Sequence, residues 1–166
     1  MQEYQTVTHQ FEPVFDEHSK VLILGTFPSV KSREQNFYYG HPQNRFWKVL
    51  AGILGCEVPQ TIEEKKKILL THHIAVWDVI QSCEIEGSSD ASIRNVIPND
   101  LSEILKTADI QVIYTNGGKA YELYQKYIFP VNGIKADKLP STSPANAGYS
   151  LECLKEAWSK IYKSGD

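Results

Sequence analysis

Cysteines are few in this sequence, and they are poorly placed for a metal site. Cys56, Cys83 and Cys153 are odd in number and far apart, and no CxxC pair occurs. Zinc and iron–sulfur sites are built from closely spaced thiolates, so neither kind of site is expected. We therefore expect buried, reduced thiols.

The chain has no apolar run long enough to cross a bilayer. Its first residues are polar and lack the charged-then-apolar layout of a signal peptide. From these two absences we expect a cytoplasmic protein that does not bind membranes.

Positive charge is not in excess either. Lysine and arginine number 17 against 20 aspartates and glutamates, so the formal net charge is −3. Proteins that bind nucleic acids draw much of their affinity from phosphate neutralisation, and an acidic total argues mildly against such a partner. A local basic face is still compatible with this total, because Lys31, Arg33, Arg45 and Lys48 lie close together in the sequence.

Strand and helix patterns alternate along the 166 residues. This alternation predicts a three-layer α/β fold in which a mainly parallel four-stranded sheet is flanked by helices, and residues 1–166 form a single domain. Residues 8–15 are expected to pack against the sheet. The predicted strands are residues 21–24, 74–80, 110–114 and 133–139, and the predicted helices are residues 44–53, 61–70, 91–95, 98–107, 119–128 and 150–161.

The stretch of residues 21–50 is where a functional site is expected. A buried strand at residues 21–24 is followed by a polar, aromatic-rich loop of roughly 15 residues, a length usually found in functional or disordered loops. A helix then begins near Asn44. This arrangement places polar side chains at the carboxyl edge of the sheet, where open α/β folds keep their sites.

The residues of this stretch resemble a known motif. GTFPS at residues 25–29, followed by YYGHPQNRFW at residues 38–47, resembles motif 1 of the uracil-DNA glycosylase superfamily. HPQNRFWKVL is especially similar to the mismatch-specific uracil/thymine glycosylases, and the whole pattern is closest to the hypoxanthine-DNA (deoxyinosine) glycosylase branch. LPSTSPANA at residues 139–147 resembles motif 2, the loop that enters the minor groove.

The resemblance implies a uracil-DNA glycosylase-like fold and a monofunctional DNA glycosylase of base excision repair. Such an enzyme hydrolyses the N-glycosidic bond of a flipped deaminated base, with hypoxanthine as the first choice here and uracil as the second. The implied partner is double-stranded DNA that contains a deaminated base, the implied state is a monomer, and no cofactor or metal is needed. Lyase activity is not expected, because no lysine is convincingly placed to form a Schiff base.

Asn44 is the catalytic residue that the resemblance implies. The mismatch-specific branch has its catalytic asparagine two residues after the first glycine of motif 1, where this chain has Phe27. In the hypoxanthine branch, the asparagine of the HPxN segment resembles a functional replacement for the missing motif-1 asparagine. Asn44 occupies that position in this sequence. An amide can hold a water by hydrogen bonds near the sugar carbon. Asn44 is also a suitable helix N-cap, and the two roles can coexist.

The other implied site residues are grouped by role. The base would be bound by Gly25, Thr26, Phe27, Tyr39 and His41, with Tyr39 as a stacking platform and residues 25–27 as a tight turn of N–H donors. The alternatives are that Gly25 only forms the turn, that Tyr39 packs within the loop, and that His41 is structural. Tyr38 is assigned to the core. DNA would be contacted by Ser29, Lys31, Ser141, Thr142, Ser143, Pro144, Ala145 and Asn146.

Several features depart from the main uracil-glycosylase branch. Motif 2 lacks that branch's histidine, which places strong uracil activity in doubt. It has Ala145 near the position of that branch's leucine wedge, and a smaller wedge favours bases that are already weakly paired. The turn Asn116-Gly117-Gly118-Lys119 could bind a phosphate through its N–H groups, but a helix-packing role for its glycine pair is favoured. Asp78 and the segment of residues 88–90 also resemble the hypoxanthine branch, without a derived role.

Two other classes of function stay open. A base- or nucleotide-binding module without turnover fits the missing motif-1 asparagine and the acidic net charge. A small-molecule hydrolase or deaminase acting on free nucleosides fits the fold class alone. Damaged DNA that is bound without cleavage would indicate the first class, and turnover of free inosine without cleavage of duplex DNA would indicate the second.

Overall fold

The computed structural model describes residues 4–9, 11–87 and 89–161. Its strands are β1 (Gln5–Thr8), β2 (Val21–Gly25), β3 (Ile74–Asp78), β4 (Ile80–Ile85), β5 (Arg94–Pro98), β6 (Val112–Asn116) and β7 (Ala136–Leu139). Its helices are α1 (Val30–Gln35), α2 (Phe46–Leu54), α3 (Ile62–Thr71), α4 (Ser102–Thr107), α5 (Gly118–Leu123), α6 (Phe129–Asn132) and α7 (Leu151–Trp158).

A parallel sheet with the strand order β3-β2-β6-β7 lies at the centre of the fold. All five residues of β2 are buried, which is why its sequence is a continuous apolar run. Because the four strands run in the same direction, their carboxyl ends meet at one edge. The predicted parallel four-stranded sheet is therefore confirmed.

Alternate residues of β2 face two separate hydrophobic clusters. Val21 and Ile23 pack with α2, α3 and α7 on one face of the sheet, where Trp158 is the largest fully buried side chain. Leu22 and Leu24 pack on the other face with α4, α5 and β4. The helices on both faces complete the three-layer arrangement.

A second, antiparallel sheet was not predicted. Its strand order is β1-β4-β5. The predicted strand at residues 74–80 is therefore wrong in extent, because the chain leaves the parallel sheet after Asp78 and begins β4 at Ile80. The short helix predicted at residues 91–95 is also wrong: a single 3₁₀ turn at Asp90–Ser92 is followed by β5. Ser88 and Gln10, which fell within a predicted loop and the predicted packing segment, lie outside the described residues.

The loop predicted between β2 and α2 contains a short helix. α1 is capped at its start by Ser29, whose hydroxyl accepts a hydrogen bond from the Ser32 N–H, and it ends at Asn36 in the left-handed conformation. The Ser29 side chain thus satisfies the start of the helix, and the Asn36 backbone N–H, which donates to Ser32 O, satisfies its end. The helix predicted at residues 119–128 is also interrupted, since a π-helical turn at Tyr124–Ile128 precedes α6.

Two further expectations concern the thiols and the membrane. Cys83 is buried as expected, but Cys56 and Cys153 are exposed, which corrects the prediction that all three thiols are buried. Within the described ranges, no helix has the length and apolar character needed to span a bilayer.

Candidate active site

The carboxyl ends of the parallel strands open into a cavity of about 530 Å³. Gly25 and Asp78 are register partners at the ends of β2 and β3, Asn116 ends the neighbouring strand β6, and all three line the cavity. From β2 the chain moves to β3 on one side and then crosses to β6 and β7 on the other. The cavity therefore lies at the switch point of the sheet, where α/β folds bind their ligands.

Asn44 lies in the cavity wall, and its side-chain oxygen is fully used. Oδ1 accepts hydrogen bonds from the Phe46 N–H at 3.0 Å and from the Thr142 hydroxyl at 2.9 Å. Because a backbone N–H can only donate, the atom that faces Phe46 is the oxygen. The Nδ2 group makes no hydrogen bond with any residue in the described part of the chain. Asn44 thus caps the start of α2 and presents donors, not an acceptor, to the cavity.

Thr142 and Asn116 hold Asn44 in place. The Thr142 N–H donates to Asn116 Oδ1 at 3.0 Å, and Asn116 Nδ2 donates to the Thr142 hydroxyl at 3.0 Å. The hydroxyl, which accepts from Asn116, can then donate only to Asn44. Each group therefore donates to the next, from the Thr142 N–H to Asn116, from Asn116 to the Thr142 hydroxyl, and from that hydroxyl to Asn44. Thr142 is completely buried, which strengthens these bonds and penalises the loss of any of them.

Tyr39 lines the cavity, and its backbone has a left-handed conformation that is rare for bulky residues. Its φ is +53°, in the left-handed region, and its ring stacks on Phe46 with centroids 4.0 Å apart. The hydroxyl is buried near Asp78 and Asn116 and makes no well-formed hydrogen bond with a described residue. Burial, followed by the negative charge of Asp78, raises the pKa of Tyr39, so this phenol keeps its proton at physiological pH.

Asp78 and His9 form a buried pair behind the cavity floor. His9 Nε2 is 2.8 Å from Asp78 Oδ2, and the two side chains are only 3% and 4% exposed. His9 lies outside the cavity, within ring contact of Phe11, Phe27, Tyr38 and Trp77. The interaction fixes the orientation of the Asp78 carboxylate at the cavity floor.

Gly25 leaves room for two polar groups at the cavity floor. A Cβ at this position would lie 2.5 Å from Asp78 Oδ1 and 2.9 Å from the Tyr39 hydroxyl. Both distances are shorter than side chains tolerate, and Asp78 is held from behind by His9. A side chain at Gly25 would therefore have to displace both the carboxylate and the phenol.

The loop of residues 140–149 is fastened to the start of α2 by Arg45. The Arg45 guanidinium donates to the carbonyl oxygens of Ser143, Asn146 and Tyr149, and the Arg45 N–H donates to Thr142 O at 3.0 Å. Within the loop, Asn146 Nδ2 donates to Ser141 O at 3.0 Å. These bonds give the loop a defined shape without secondary structure.

The structure brings most of the predicted site residues to this one cavity. Twelve of the fourteen line it, namely Gly25, Thr26, Phe27, Ser29, Tyr39, His41, Asn44, Ser141, Thr142, Ser143, Pro144 and Ala145. Lys31 does not; it is exposed and lies 3.5 Å from Glu34. Asn146 does not either, and it lines a neighbouring depression with Lys138 and Tyr149. Their functional roles stay predictions.

Two of the basic residues named in the sequence, Arg33 and Arg45, are hydrogen-bonded to backbone carbonyl oxygens. Arg33 Nη2 donates to Gly87 O at 2.8 Å, and burial lowers the pKa of Arg33 from its ordinary value. Arg45 binds the loop carbonyls. His41 has a structural contact as well, since its Nδ1 accepts from the Gln43 N–H at 3.1 Å. Among the described residues, no group of three or more histidine, cysteine, aspartate and glutamate side chains could hold a metal ion.

Two site residues were missed in the sequence. Asn116 was interpreted only as part of a helix-packing turn, although its position at the end of an apolar strand is the signal that places residues at this edge. Gly117, which follows it, has a φ of +99° and accounts for the turn. His9 carries no such signal, because only the tertiary fold brings it to Asp78.

The chain is similar to known proteins over most of its length. Residues 12–161 match the model of the Uracil DNA glycosylase superfamily. Proteins described as hypoxanthine DNA glycosylases of Methanosarcina barkeri and Methanosarcina acetivorans are each 34% identical to this chain, with coverage of 92% of this chain and 96% of each relative. A solution NMR structure of a candidate uracil DNA glycosylase from Methanosarcina acetivorans superimposes with a TM-score of 0.79 at 33% identity, over 93% of this chain and 96% of that one.

Proposed function

Because the chain belongs to the uracil-DNA glycosylase superfamily, we propose that it is a monofunctional DNA glycosylase that removes deaminated bases, hypoxanthine first, from double-stranded DNA. The cavity at the sheet switch point carries this proposal, since it joins both family motifs around one polar wall. The names of the two Methanosarcina relatives support hypoxanthine as the first substrate. We propose that the protein acts as a single domain and a monomer.

The reaction breaks the bond between C1′ of the deoxyribose and N9 of hypoxanthine. Water supplies a hydroxyl to C1′ and a proton to the free base, which leaves an abasic site. A transition state with oxocarbenium character needs little covalent help from the protein, so its residues act by positioning the water and the departing base.

Asn44 positions the water in this proposal. Its Oδ1 already accepts two hydrogen bonds, so the contact to water is made by an Nδ2 hydrogen donating to the water oxygen. The donor direction is set by Thr142 and Asn116, which lie behind it. Phe27 and Tyr39 enclose the base, and the exposed loop tip at Pro144 and Ala145 faces the duplex.

The test is alkaline cleavage of labelled duplexes that contain deoxyinosine, deoxyuridine or a G/T mismatch. Wild-type protein should break the deoxyinosine strand, and Asn44→Ala should lower the single-turnover rate by about 100-fold or more, the usual weight of a positioning group. Gln43→Ala is the matched control, since it truncates the exposed neighbouring amide, which does not line the cavity.

Each alternative outcome has a defined meaning. Cleavage at deoxyuridine alone would keep the family and overturn hypoxanthine as the substrate. A folded wild-type protein that cleaves no duplex would overturn the proposed activity. Equal rates for wild type and Asn44→Ala would remove Asn44 from the mechanism.

A further inference from the structure

The backbone on both sides of Tyr39 is held by buried side chains. The peptide group before Tyr39 is fixed through the Tyr38 carbonyl oxygen, which accepts a hydrogen bond from Trp47 Nε1 at 3.2 Å. The peptide group after it is fixed through the Gly40 N–H, which donates to the Ser32 hydroxyl at 2.9 Å. Ser32 and Trp47 are only 1% and 5% exposed. Because φ and ψ describe the rotation of these two peptide groups about the Tyr39 Cα, the two hydrogen bonds together set its backbone conformation.

This conformation is one that Tyr39 would not adopt unaided. A φ of +53° is uncommon for a residue with a bulky side chain, and such a residue stays there only where the surrounding structure holds it. Without the two hydrogen bonds, the backbone would relax towards negative φ and the ring would leave its present position. Backbone strain of this kind concentrates at binding and catalytic sites, which indicates that the position of the ring matters for function.

Gly40 lets the loop approach α1 closely enough for the hydrogen bond to Ser32. A Cβ on Gly40 would lie 2.6 Å from Gln35 Oε1 and 3.3 Å from Ser32 Cα. The second of these atoms belongs to the helix backbone, so it has little freedom to move aside. The short helix α1, which the sequence did not predict, therefore supports the turn that carries Tyr39.

The held ring forms part of the cavity wall. Phe46, which is fully buried, stacks on one face of the Tyr39 ring at an interplanar angle of 19°. Tyr39 also lines the cavity. An aromatic ligand in the cavity can therefore stack only on the other face of this ring, and a rotation of the Tyr39 backbone would tilt that face.

Resting on the proposed function, in which Tyr39 helps to enclose the flipped base, we propose that Ser32 and Trp47 are positioning residues for the stacking of that base. They act through the two peptide groups that flank Tyr39. Their effect is to keep the ring parallel to Phe46 before the base arrives, so that little ordering is left for the moment of base flipping.

The proposal is tested by equilibrium binding, which needs no turnover. Fluorescence anisotropy would measure Kd for two duplexes. One contains 2′-fluorinated deoxyinosine, whose glycosidic bond resists hydrolysis, and the other contains a tetrahydrofuran abasic-site analogue, which has no base to stack. We define the base preference as the ratio of these two dissociation constants. Stacking on an aromatic side chain contributes about 10- to 100-fold per base, so wild-type protein should prefer the deoxyinosine duplex by about that factor.

Ser32→Ala should lower the base preference by about tenfold, because the Gly40 N–H loses its acceptor and the ring is no longer held. Affinity for the abasic duplex should change by less than about threefold. Ser32→Cys keeps the shape of the side chain but offers only a weak acceptor, so it should lower the preference as well. The matched control is Ser102→Ala, which removes an exposed hydroxyl from α4 on the other face of the sheet and should leave both affinities unchanged.

Trp47 is tested by Trp47→Phe. This substitution keeps an aromatic ring in the core and removes the N–H that binds the Tyr38 carbonyl oxygen. The base preference should fall as it does in Ser32→Ala, with the affinity for the abasic duplex again nearly unchanged.

Tyr39→Ala separates positioning from direct contact, since Ser32 also lines the cavity. If Ser32 acts through the Tyr39 ring, adding Ser32→Ala to Tyr39→Ala should change the base preference by less than about twofold. A serine that contacts the base itself would cause the same loss with and without the ring. A serine that only supports the fold would weaken the binding of both duplexes equally.

Three results would overturn the proposal. The first is a wild-type protein without a base preference, a comparison that needs no variant to fold. The second is an unchanged base preference in whichever of Ser32→Ala and Ser32→Cys has a wild-type circular dichroism spectrum. The third is an undiminished effect of Ser32→Ala in the Tyr39→Ala protein. Failure of the proposed function has a separate signature, which is an unmodified deoxyinosine duplex that stays uncut by a protein with the expected base preference.

Discussion

At the scale of single residues, the Thr142 hydroxyl connects the two motifs. It accepts from Asn116 and donates to Asn44, and it is completely buried. Thr142→Val keeps the shape of the side chain but leaves Asn44 Oδ1 with one donor fewer. Asn116 Nδ2 also loses the acceptor to which it donates. An unsatisfied buried polar group costs about 1–3 kcal/mol, and because these bonds set the orientation of Asn44, we expect the single-turnover rate on deoxyinosine DNA to fall by about 10- to 100-fold. Quenched-flow or manual single-turnover cleavage would measure it.

Thr142→Ser is the matched control for this prediction. It retains the hydroxyl and removes only the methyl group, so its rate should stay close to that of the wild type. If the serine variant lost as much activity as the valine variant, packing and not the hydrogen bond would be the function of Thr142.

The residues of this network differ in how far the sequence could indicate them. Asn44 and Thr142 lie in stretches with a family resemblance, and Asn116 ends an apolar strand. Asp78 also follows a strand, so its place at the edge of the sheet could be expected. His9 could not, because it lies 69 residues from Asp78 in the chain and no local pattern encodes such a distance.

At the scale of elements, the start of α2 and the loop of residues 140–149 behave as one unit. Arg45 joins them through three side-chain bonds to carbonyl oxygens. Arg45→Lys keeps the positive charge but replaces a planar fork by a single ammonium group, which cannot reach the same three acceptors. We expect faster amide hydrogen exchange in the loop, and a KM that rises more than kcat falls, because the loop would have to be ordered on binding.

Arg94→Lys is the control for this comparison. Arg94 is about half exposed, and its Nε is 2.9 Å from a Glu84 oxygen on the surface of the antiparallel sheet. Surface ion pairs contribute about 0–1 kcal/mol, so this variant should behave like the wild type. Unchanged exchange in the loop of Arg45→Lys would show that the loop keeps its shape without the guanidinium.

Element boundaries were predictable where a local signal exists. Thr61 and Glu64 have the sequence spacing of a capping box, and both hydrogen bonds of that box are present at the start of α3. Gly55 ends α2 in the left-handed conformation, and glycine is the residue that most readily adopts this conformation at a helix end. The division between β3 and β4 had no such signal. Residues 74–80 are apolar except for Asp78. The pairing of residues 74–78 with β2 and of β4 with β1 decides where one strand ends and the next begins.

At the scale of the whole molecule, the acidic net charge has to be reconciled with a DNA substrate. Arg33 and Arg45 are engaged with backbone carbonyls. Lys31 on α1 and Lys138 beside the second depression are exposed cations near the cavity. If each neutralises one phosphate, the logarithm of the binding constant should fall with the logarithm of salt concentration with a slope of about −2. Anisotropy titrations at several salt concentrations would measure this slope.

Single lysine substitutions locate these contacts. Lys31→Gln and Lys138→Gln should each make the slope shallower by about one. Lys106→Gln, on α4 near the opposite edge of the sheet, should leave the slope unchanged. A wild-type slope of about −6 or steeper would contradict the prediction and indicate a wider basic surface.

The hydrogen bond between Asn44 and Thr142 spans 98 residues of sequence. Its consequence concerns the growing polypeptide. While the ribosome has made only the first 140 residues, Asn44 lacks Thr142 behind it, Asn116 lacks its partner, and Arg45 has no loop to bind. We therefore expect a chain that is released or cleaved before Thr142 to be unable to excise bases, because the site is completed only when the last part of the protein folds back onto the first.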